Sequence, residues 1–145
     1  MMKAAMAGAE AGAKGQSREP PRVIAVTILT SHAPRTVHTD LLLREDYDIP
    51  TATEMLSLHA MEAGLLGVVC SAQEAETNRA VLGPDKLIVT PGIRTMETDD
   101  DQARPSSPTQ ALRNGSDILV VGRPIVQASD PARATKALLA MMECA

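Results

Sequence analysis

The sequence predicts an α/β fold built on a parallel sheet. Four short runs of apolar, largely β-branched residues alternate with segments of helical periodicity. The runs are nearly continuous in apolar character rather than alternating with polar residues, as in strands covered on both faces. The alternation of strand and helix requires right-handed crossovers between parallel neighbours. A length of 145 residues, 44% of them hydrophobic, suits a single domain over residues 1–145. With no Phe, no Trp and one Tyr, the core is expected to consist of aliphatic side chains.

The opening segment, residues 2–13, carries Met2, Met6, Ala9 and Ala13 at i, i+4, i+7 and i+11, one apolar stripe of a helix. GQSREPP, Gly15 to Pro21, ends it. Val23 to Leu29 (VIAVTIL) is the first strand and is expected to be buried on both faces. Residues 31–50 are mixed, punctuated by Pro34 and Pro50. A helix follows over about 52–63, with Gly64 placed to end it. Gly67 to Cys70 (GVVC) is the second strand, and Ser71 with Glu74 three residues on has the capping-box pattern. That helix runs to about Leu82 and stops at Gly83-Pro84. Lys86 to Thr90 (KLIVT) is the third strand, followed by a long loop from Pro91 to Ser107 and a short helix from Pro108 to Asn114. Asp117 to Val121 (DILVV) is the fourth strand. Asp130-Pro131 then supplies an N-cap and a first-turn proline for a closing helix to about Met142, with Ala134, Leu138 and Met141 on one face. Four such units are half of an eight-unit barrel or a whole open doubly wound sheet, and periodicity does not choose between them.

Composition excludes several functions. Net charge is −4 with no basic run, and the aromatic stacking platforms of single-strand binders are absent, which argues against nucleic acid. No stretch approaches the roughly 18 consecutive apolar residues of a membrane helix, and Lys3, Glu10 and Lys14 make the N-terminus a poor signal peptide. Cys70 and Cys144 lack CxxC partners, and His32, His38 and His59 lack metal-ligand spacing. Cys70 is read as a buried structural thiol and Cys144 as a terminal one, in a reducing cytoplasmic compartment.

The chemistry concentrates in the loops after the third and fourth strands. One holds TPGIR (Thr90 to Arg94) and Asp101-Gln102, and the other VGRPI (Val121 to Ile125). In (β/α) barrels the last two such loops often make a phosphate site. Gly122 has no side chain, so a phosphate oxygen can approach its N–H. Arg123 offers a planar fork for two phosphate oxygens. Gln102 can donate and accept at once, which suits a phosphate on one side and an amide-like base on the other. Each motif also has a plainer reading: a helix-initiating turn with a surface Arg at 122–124, an ion pair between Arg94 and the acidic run Asp99 to Asp101, and an ordinary loop amide at Gln102.

Five motifs decide the matter. IAVTILTS (Ile24 to Ser31), GVVCSAQE (Gly67 to Glu74), VTPGIR (Val89 to Arg94), DQAR (Asp101 to Arg104) and VVGRPIVQ (Val120 to Gln127) stand in order along the chain. In this order and at nearly this spacing the chain resembles the bacterial orotidine 5′-phosphate decarboxylases, over about Met1 to Met142. The resemblance implies a (β/α)8 TIM barrel, of which this is the C-terminal half, about strands 5–8 with the preceding helix. It implies that Thr30 lies beside the pyrimidine and that Arg94 contacts ligand. It further implies that Gln102 links base to phosphate and that Gly122 and Arg123 grip the phosphate. The parent reaction, orotidine 5′-phosphate to uridine 5′-phosphate and carbon dioxide, needs no metal or organic cofactor. The enzyme is expected to be cytoplasmic and homodimeric.

What the sequence lacks is equally informative. The family works through an Asp-x-Lys-x-x-Asp cluster and a further Lys. The only lysines here are Lys3, Lys14, Lys86 and Lys136, none in such a context. Asp46-Tyr47-Asp48-Ile49-Pro50-Thr51 echoes part of that motif but has no Lys and follows the first strand, so it is read as a turn that starts a helix. The expectation is a fragment or truncated product, inactive alone. It would either bind phosphate without catalysis or require a complementary N-terminal half, and its uncovered strands would drive it to pair.

Overall fold

The computed structural model describes residues 1–33, 36–44, 46–94 and 106–145. Its elements are α1 (Met2–Gly15), β1 (Ile24–Val26), α2 (Val37–Asp40), α3 (Ile49–Glu62), β2 (Gly67–Val69), α4 (Ala72–Leu82), β3 (Leu87–Thr90), α5 (Pro108–Arg113), β4 (Ile118–Leu119), α6 (Arg123–Val126) and α7 (Pro131–Glu143). The strands form one sheet in the order β1-β2-β3-β4, every pair parallel. Val26, Val69, Val89 and Ile118 stand in one row across it.

Local chemistry sets the helix starts. Asp48 caps α3 by accepting the Thr51 N–H at 2.9 Å, with Pro50 in the first turn. The Asp-Ile-Pro-Thr segment is therefore the helix-starting turn read from sequence, although α3 begins three residues earlier than its apolar periodicity indicated. Ser71 caps α4, but its hydroxyl accepts from the Gln73 N–H (3.2 Å), not from Glu74 as a strict capping box requires. Ser107 and Asp130 cap α5 and α7 by accepting the N–H three residues on, those of Gln110 (3.2 Å) and Arg133 (3.0 Å). The one-turn helices α2 and α6 lay below the resolution of any periodicity argument.

The packing is one-sided. Ala25, Val68 and Ile88 share a row and point toward the helices, where Ala60 of α3 and Ala75 and Leu82 of α4 enclose them. The α1 stripe behaves as its spacing predicts: Met2 and Met6 pack on this core and Ala13 is buried. A smaller cluster, Ile28, Val37, Ile49 and Ala52, anchors α2 and the start of α3, and Ala72, Ile93 and Ala111 tie α4 to α5. Each such aliphatic burial contributes roughly 1.5–3 kcal/mol. The opposite face of the sheet is exposed at its edges, with Val26 at 59%, Ile118 at 46% and Val120 at 49%. This corrects the expectation that VIAVTIL is covered on both sides. All four strands are shorter than read, most of all β1, which covers Ile24–Val26, and β4, which covers Ile118–Leu119. On α7 the inward residue near the end is the half-buried Met142, while Met141 is exposed.

Backbone approach fixes the sheet's middle. A Cβ at Gly67 would collide with the Leu87 carbonyl, so only glycine fits the β2–β3 register there. Below the strands, Arg79 of α4 gathers the chain. Its Nε and Nη2 donate to the Gly115 carbonyl (3.1 and 2.8 Å), and its Nη1 donates to the carbonyls of Gly83 (2.8 Å) and Lys86 (2.7 Å). Nη2 also meets Asp117 Oδ2 at 2.5 Å, and that oxygen accepts the Ile88 N–H at 2.7 Å. Gly115, at φ +94°, lets its turn lie against the Arg79 stem, where a Cβ would be 3.1 Å from Arg79 Cβ.

Two outcomes are expected. Arg79→Met keeps the stem but leaves three carbonyls without their cation, and should cost about 2–4 kcal/mol in denaturant unfolding. Arg79→Lys should recover only part, since an ammonium cannot span the fork; an unchanged midpoint in both variants would show that water replaces the guanidinium. The Thr51 hydrogen bonds hold the Asp48 carboxyl below its ordinary value. A carboxyl depressed on folding stabilises above its unfolded pKa, and the contribution disappears as pH falls through the folded one. Melting curves from neutral pH to about pH 2 should therefore show wild type losing more stability in acid than Asp48→Asn, which caps without titrating.

Candidate functional site

Because all four strands run parallel, the residues that follow them emerge along one edge. Thr30 lies beyond β1 and is buried, Ser71 follows β2, Arg94 lies beyond β3, and Gly122 and Arg123 lie beyond β4. The strands β3 and β4 are neighbours, so Arg94 and the Gly122-Arg123 pair extend from adjacent positions. Thr30 extends from the far strand, two places from β3. Gln102 and the acidic run Asp99 to Asp101 lie outside the described residues.

Each side chain is held by identifiable local structure. Arg94 is only 9% exposed. Its N–H donates to the Ser106 carbonyl at 2.9 Å, within a parallel bridge between Ile93 and Ser106, and its Nη1 donates to the Ile93 carbonyl at 2.8 Å. The guanidinium is thus oriented by its own backbone. Gly122 is the residue before α6 and Arg123 is its first residue. A Cβ on Gly122 would meet nothing within 4 Å, so the space in front of this turn is open rather than filled by protein. The helix-initiating reading of Gly122-Arg123-Pro124 is thereby correct as local structure, and it is compatible with an anion-binding turn.

The described residues also form concavities away from this edge. One of about 230 Å³ is lined by Met6, Glu10, Pro20, Val23, Leu66 and Lys86 among others. Val23, Leu66 and Lys86 immediately precede β1, β2 and β3, so this hollow lies at the opposite end of the sheet. In parallel α/β folds, ligands occupy the carboxyl ends of strands. Among the described residues no group of three or more His, Cys, Asp and Glu is arranged to hold a metal ion. No helix among them is long and apolar enough to cross a membrane. Cys70 is buried and Cys144 exposed, as their contexts indicated.

Sequence reasoning missed the polar groups that stiffen this edge from beneath. Thr90, the last residue of β3, is fully buried and shares a 2.7 Å hydroxyl hydrogen bond with Ser116, which leads into β4. Thr27 donates to the Val69 carbonyl at 2.7 Å, tying the end of β1 to β2. Asn114 donates to the Ala72 carbonyl at 2.7 Å, joining the end of α5 to the start of α4. Ser57 and Asn78 bond across the α3–α4 interface, both wholly buried. Thr27 and Thr90 are marked in the sequence as small polar residues within apolar runs, whereas Asn78 and Asn114 carry no such mark.

Residues 1–138 match the family model described as Orotidine 5′-phosphate decarboxylase / HUMPS family. Among curated relatives, an orotidine 5′-phosphate decarboxylase of Nostoc sp. is 41% identical over 136 residues, 93% of this chain and 56% of that protein. One of Rhodospirillum rubrum is 43% identical over 139 residues, 94% of this chain and 54% of the relative. The crystal structure of orotidine 5′-phosphate decarboxylase from Lactobacillus acidophilus aligns with a TM-score of 0.78 at 34% identity, covering 98% of this chain and 58% of that one. The enzyme from Pyrococcus horikoshii, at 22% identity and a TM-score of 0.60, shares the fold. The chain spans about half the length of these relatives, and its four parallel strands with their helices correspond to about half of a (β/α)8 barrel.

Proposed function

The chain belongs to the orotidine 5′-phosphate decarboxylase family, and on that premise we propose that it is the nucleotide-gripping half of such an enzyme: it binds the phosphate and base of a pyrimidine nucleotide but does not itself carry out decarboxylation. The observation that carries this reading is the open turn at Gly122 followed at once by Arg123, beside Arg94 on the neighbouring strand end. An uncovered N–H next to a planar cation suits a phosphate dianion. Thr30 is the hydroxyl beside the pyrimidine, Arg94 a second cation toward the ligand, and Gln102 the amide linking base to phosphate.

Nothing in residues 1–145 reads Asp-x-Lys-x-x-Asp. Carboxylates set against a substrate carboxylate, with a Lys to protonate the carbon left behind, are the logic of the family's chemistry. Those groups come from a complementary barrel half, and with it the reaction is orotidine 5′-phosphate to uridine 5′-phosphate and carbon dioxide, in the cytoplasm and without metal or organic cofactor. Phosphate grip alone stabilises ground and transition states alike, which lowers KM without raising kcat.

Two measurements test the reading. Calorimetric titration with uridine 5′-phosphate should show saturable binding that Arg123→Ala weakens by about 10- to 100-fold, the roughly 1.5–3 kcal/mol of a charge-assisted pair. Gly122→Val should weaken it comparably while leaving the thermal midpoint almost unmoved; binding unaffected by both would place the phosphate elsewhere. The second measurement is an orotidine 5′-phosphate turnover assay on the pure chain, in which no rate above the buffer blank is expected. Sustained turnover in protein free of host enzyme would overturn the assignment of the chemistry to the missing strands.

A further inference from the structure

We propose that the hollow at the amino ends of the strands is a second ligand site, and that it takes a compact aliphatic monocarboxylate. It lies at the other end of the sheet from Thr30, Arg94 and Gly122, so it stands or falls separately from the nucleotide reading. The rule that places ligands at the carboxyl ends of parallel strands concerns reacting groups and nucleotides. The amino-end hollow is a binding site with no reaction assigned to it.

The shape comes from within the fold. Met6, Ala9 and Glu10 of α1 form one side, and the turns that enter β1, β2 and β3 supply the rest, through Val23, Leu66 and Lys86 among others. None of the lining residues belongs to β4 or to the exposed row at Val26, Ile118 and Val120. Met6 and Val23 also pack on the main aliphatic core, so the apolar wall is backed by fixed side chains. The backbone here is already engaged: the Leu66 N–H donates to the Val23 carbonyl at 2.9 Å, and the Leu66 carbonyl accepts the Leu87 N–H at 3.1 Å. Small residues leave the room. Ale9 of α1 ends at its Cβ, and at Gly64, with φ +84°, a Cβ would meet nothing within 4 Å. The volume of about 230 Å³ suits a short aliphatic chain, and aliphatic walls of this kind hold water poorly.

Charge decides the class of ligand. Glu10, Arg22 and Lys86 line the hollow, so cations outnumber the carboxylate. No ion pair joins these three groups to one another or to any other described residue. The Lys86 Nζ donates to the Leu65 carbonyl at 3.2 Å, which holds the ammonium against the wall and leaves its other hydrogens for a second acceptor. A carboxylate is a stronger acceptor for that group than a neutral carbonyl. Arg22, exposed at the rim, adds a second cation, while Glu10 on the α1 side repels further negative charge. The balance favours a monoanion over a phosphate dianion. With no aromatic ring among the lining residues, the matching tail is aliphatic.

Titration calorimetry of the full chain with sodium octanoate is the test. Saturable binding at a single site is expected, and octanol, with the same tail and no charge, should bind roughly tenfold more weakly or worse. Lys86→Met keeps the stem and should weaken octanoate by about tenfold or more, whereas Lys86→Arg should retain most of the affinity. Because Lys86 also braces the Leu65 carbonyl, Ala9→Leu is the independent variant. It fills the hollow from a helix position that accepts leucine, and should abolish binding with the far-ultraviolet spectrum unchanged. Saturating uridine 5′-phosphate should leave octanoate binding unaltered. Absence of saturable binding, equal binding of octanol, or binding indifferent to both Lys86→Met and Ala9→Leu would overturn the proposal. So would displacement by uridine 5′-phosphate, which would place the carboxylate at the opposite end of the sheet.

Discussion

The structure depends on what Arg79 does beneath the sheet. Parallel strands leave their amino ends in loops whose carbonyls have no ladder partner, and such groups are costly when withdrawn from water. One guanidinium takes the carbonyls of Gly83, Lys86 and Gly115, which lie before β3 and β4, and binds the Asp117 carboxylate that in turn accepts from Ile88. A planar fork can serve several acceptors at once, whereas an ammonium could not. With the amino ends fixed, the register of β3 against β4 is fixed, and so is the position at which Arg94 and Gly122 leave the sheet. The stability of the lower end and the precision of the upper end are thus one problem, solved at a single side chain.

The one-sided core follows from the same architecture. An open doubly wound sheet places helices on both faces, and a barrel places them only outside. Here Ala25, Val68 and Ile88 meet helices while Val26 and Ile118 do not. The two architectures that periodicity could not separate are distinguished by this asymmetry, and the structural relatives agree with it. An aliphatic core without Phe or Trp fits the arrangement, because the helix layer packs through small side chains such as Ala60, Ala72, Ala75 and Ala111, all wholly or almost wholly buried.

Much of this was legible in the sequence. The Met2-Met6-Ala9-Ala13 stripe, the stop at Gly83, the cap at Asp130 and the turn at Asp48 to Thr51 are local features, set by spacing and capping chemistry that act within a few residues. Family membership was legible from five motifs in order. The misses have physical causes as well. An apolar run such as VIAVTIL states that both faces prefer cover, not that both obtain it. The one-turn helices α2 and α6 are too short for a period. Arg79 joins loops up to 38 positions away in sequence, and no local pattern marks it. For the site, the residue types of Gly122 and Arg123 were readable, while the burial of Arg94 and its orientation by Ile93 and Ser106 came only from the folded chain.

The proposed anion grip and the family's chemistry ask different things of a sheet. The loops after β3 and β4 are suited to hold an anion because a phosphate needs little beyond N–H groups, planar cations and room, all of which two adjacent strand ends supply. Decarboxylation needs charged groups pressed together and against the substrate, an arrangement that is stable only when surrounding strands enforce it. A carboxylate and ammonium cluster exposed on an open sheet would relax into water and lose its effect. The proposed grip therefore makes smaller demands on the surrounding strands than the family's chemistry does. For this chain, Arg94 and the Gly122-Arg123 pair leave adjacent strand ends, so the proposed grip depends on the register of β3 against β4 and not on what lies over Val26, Ile118 and Val120.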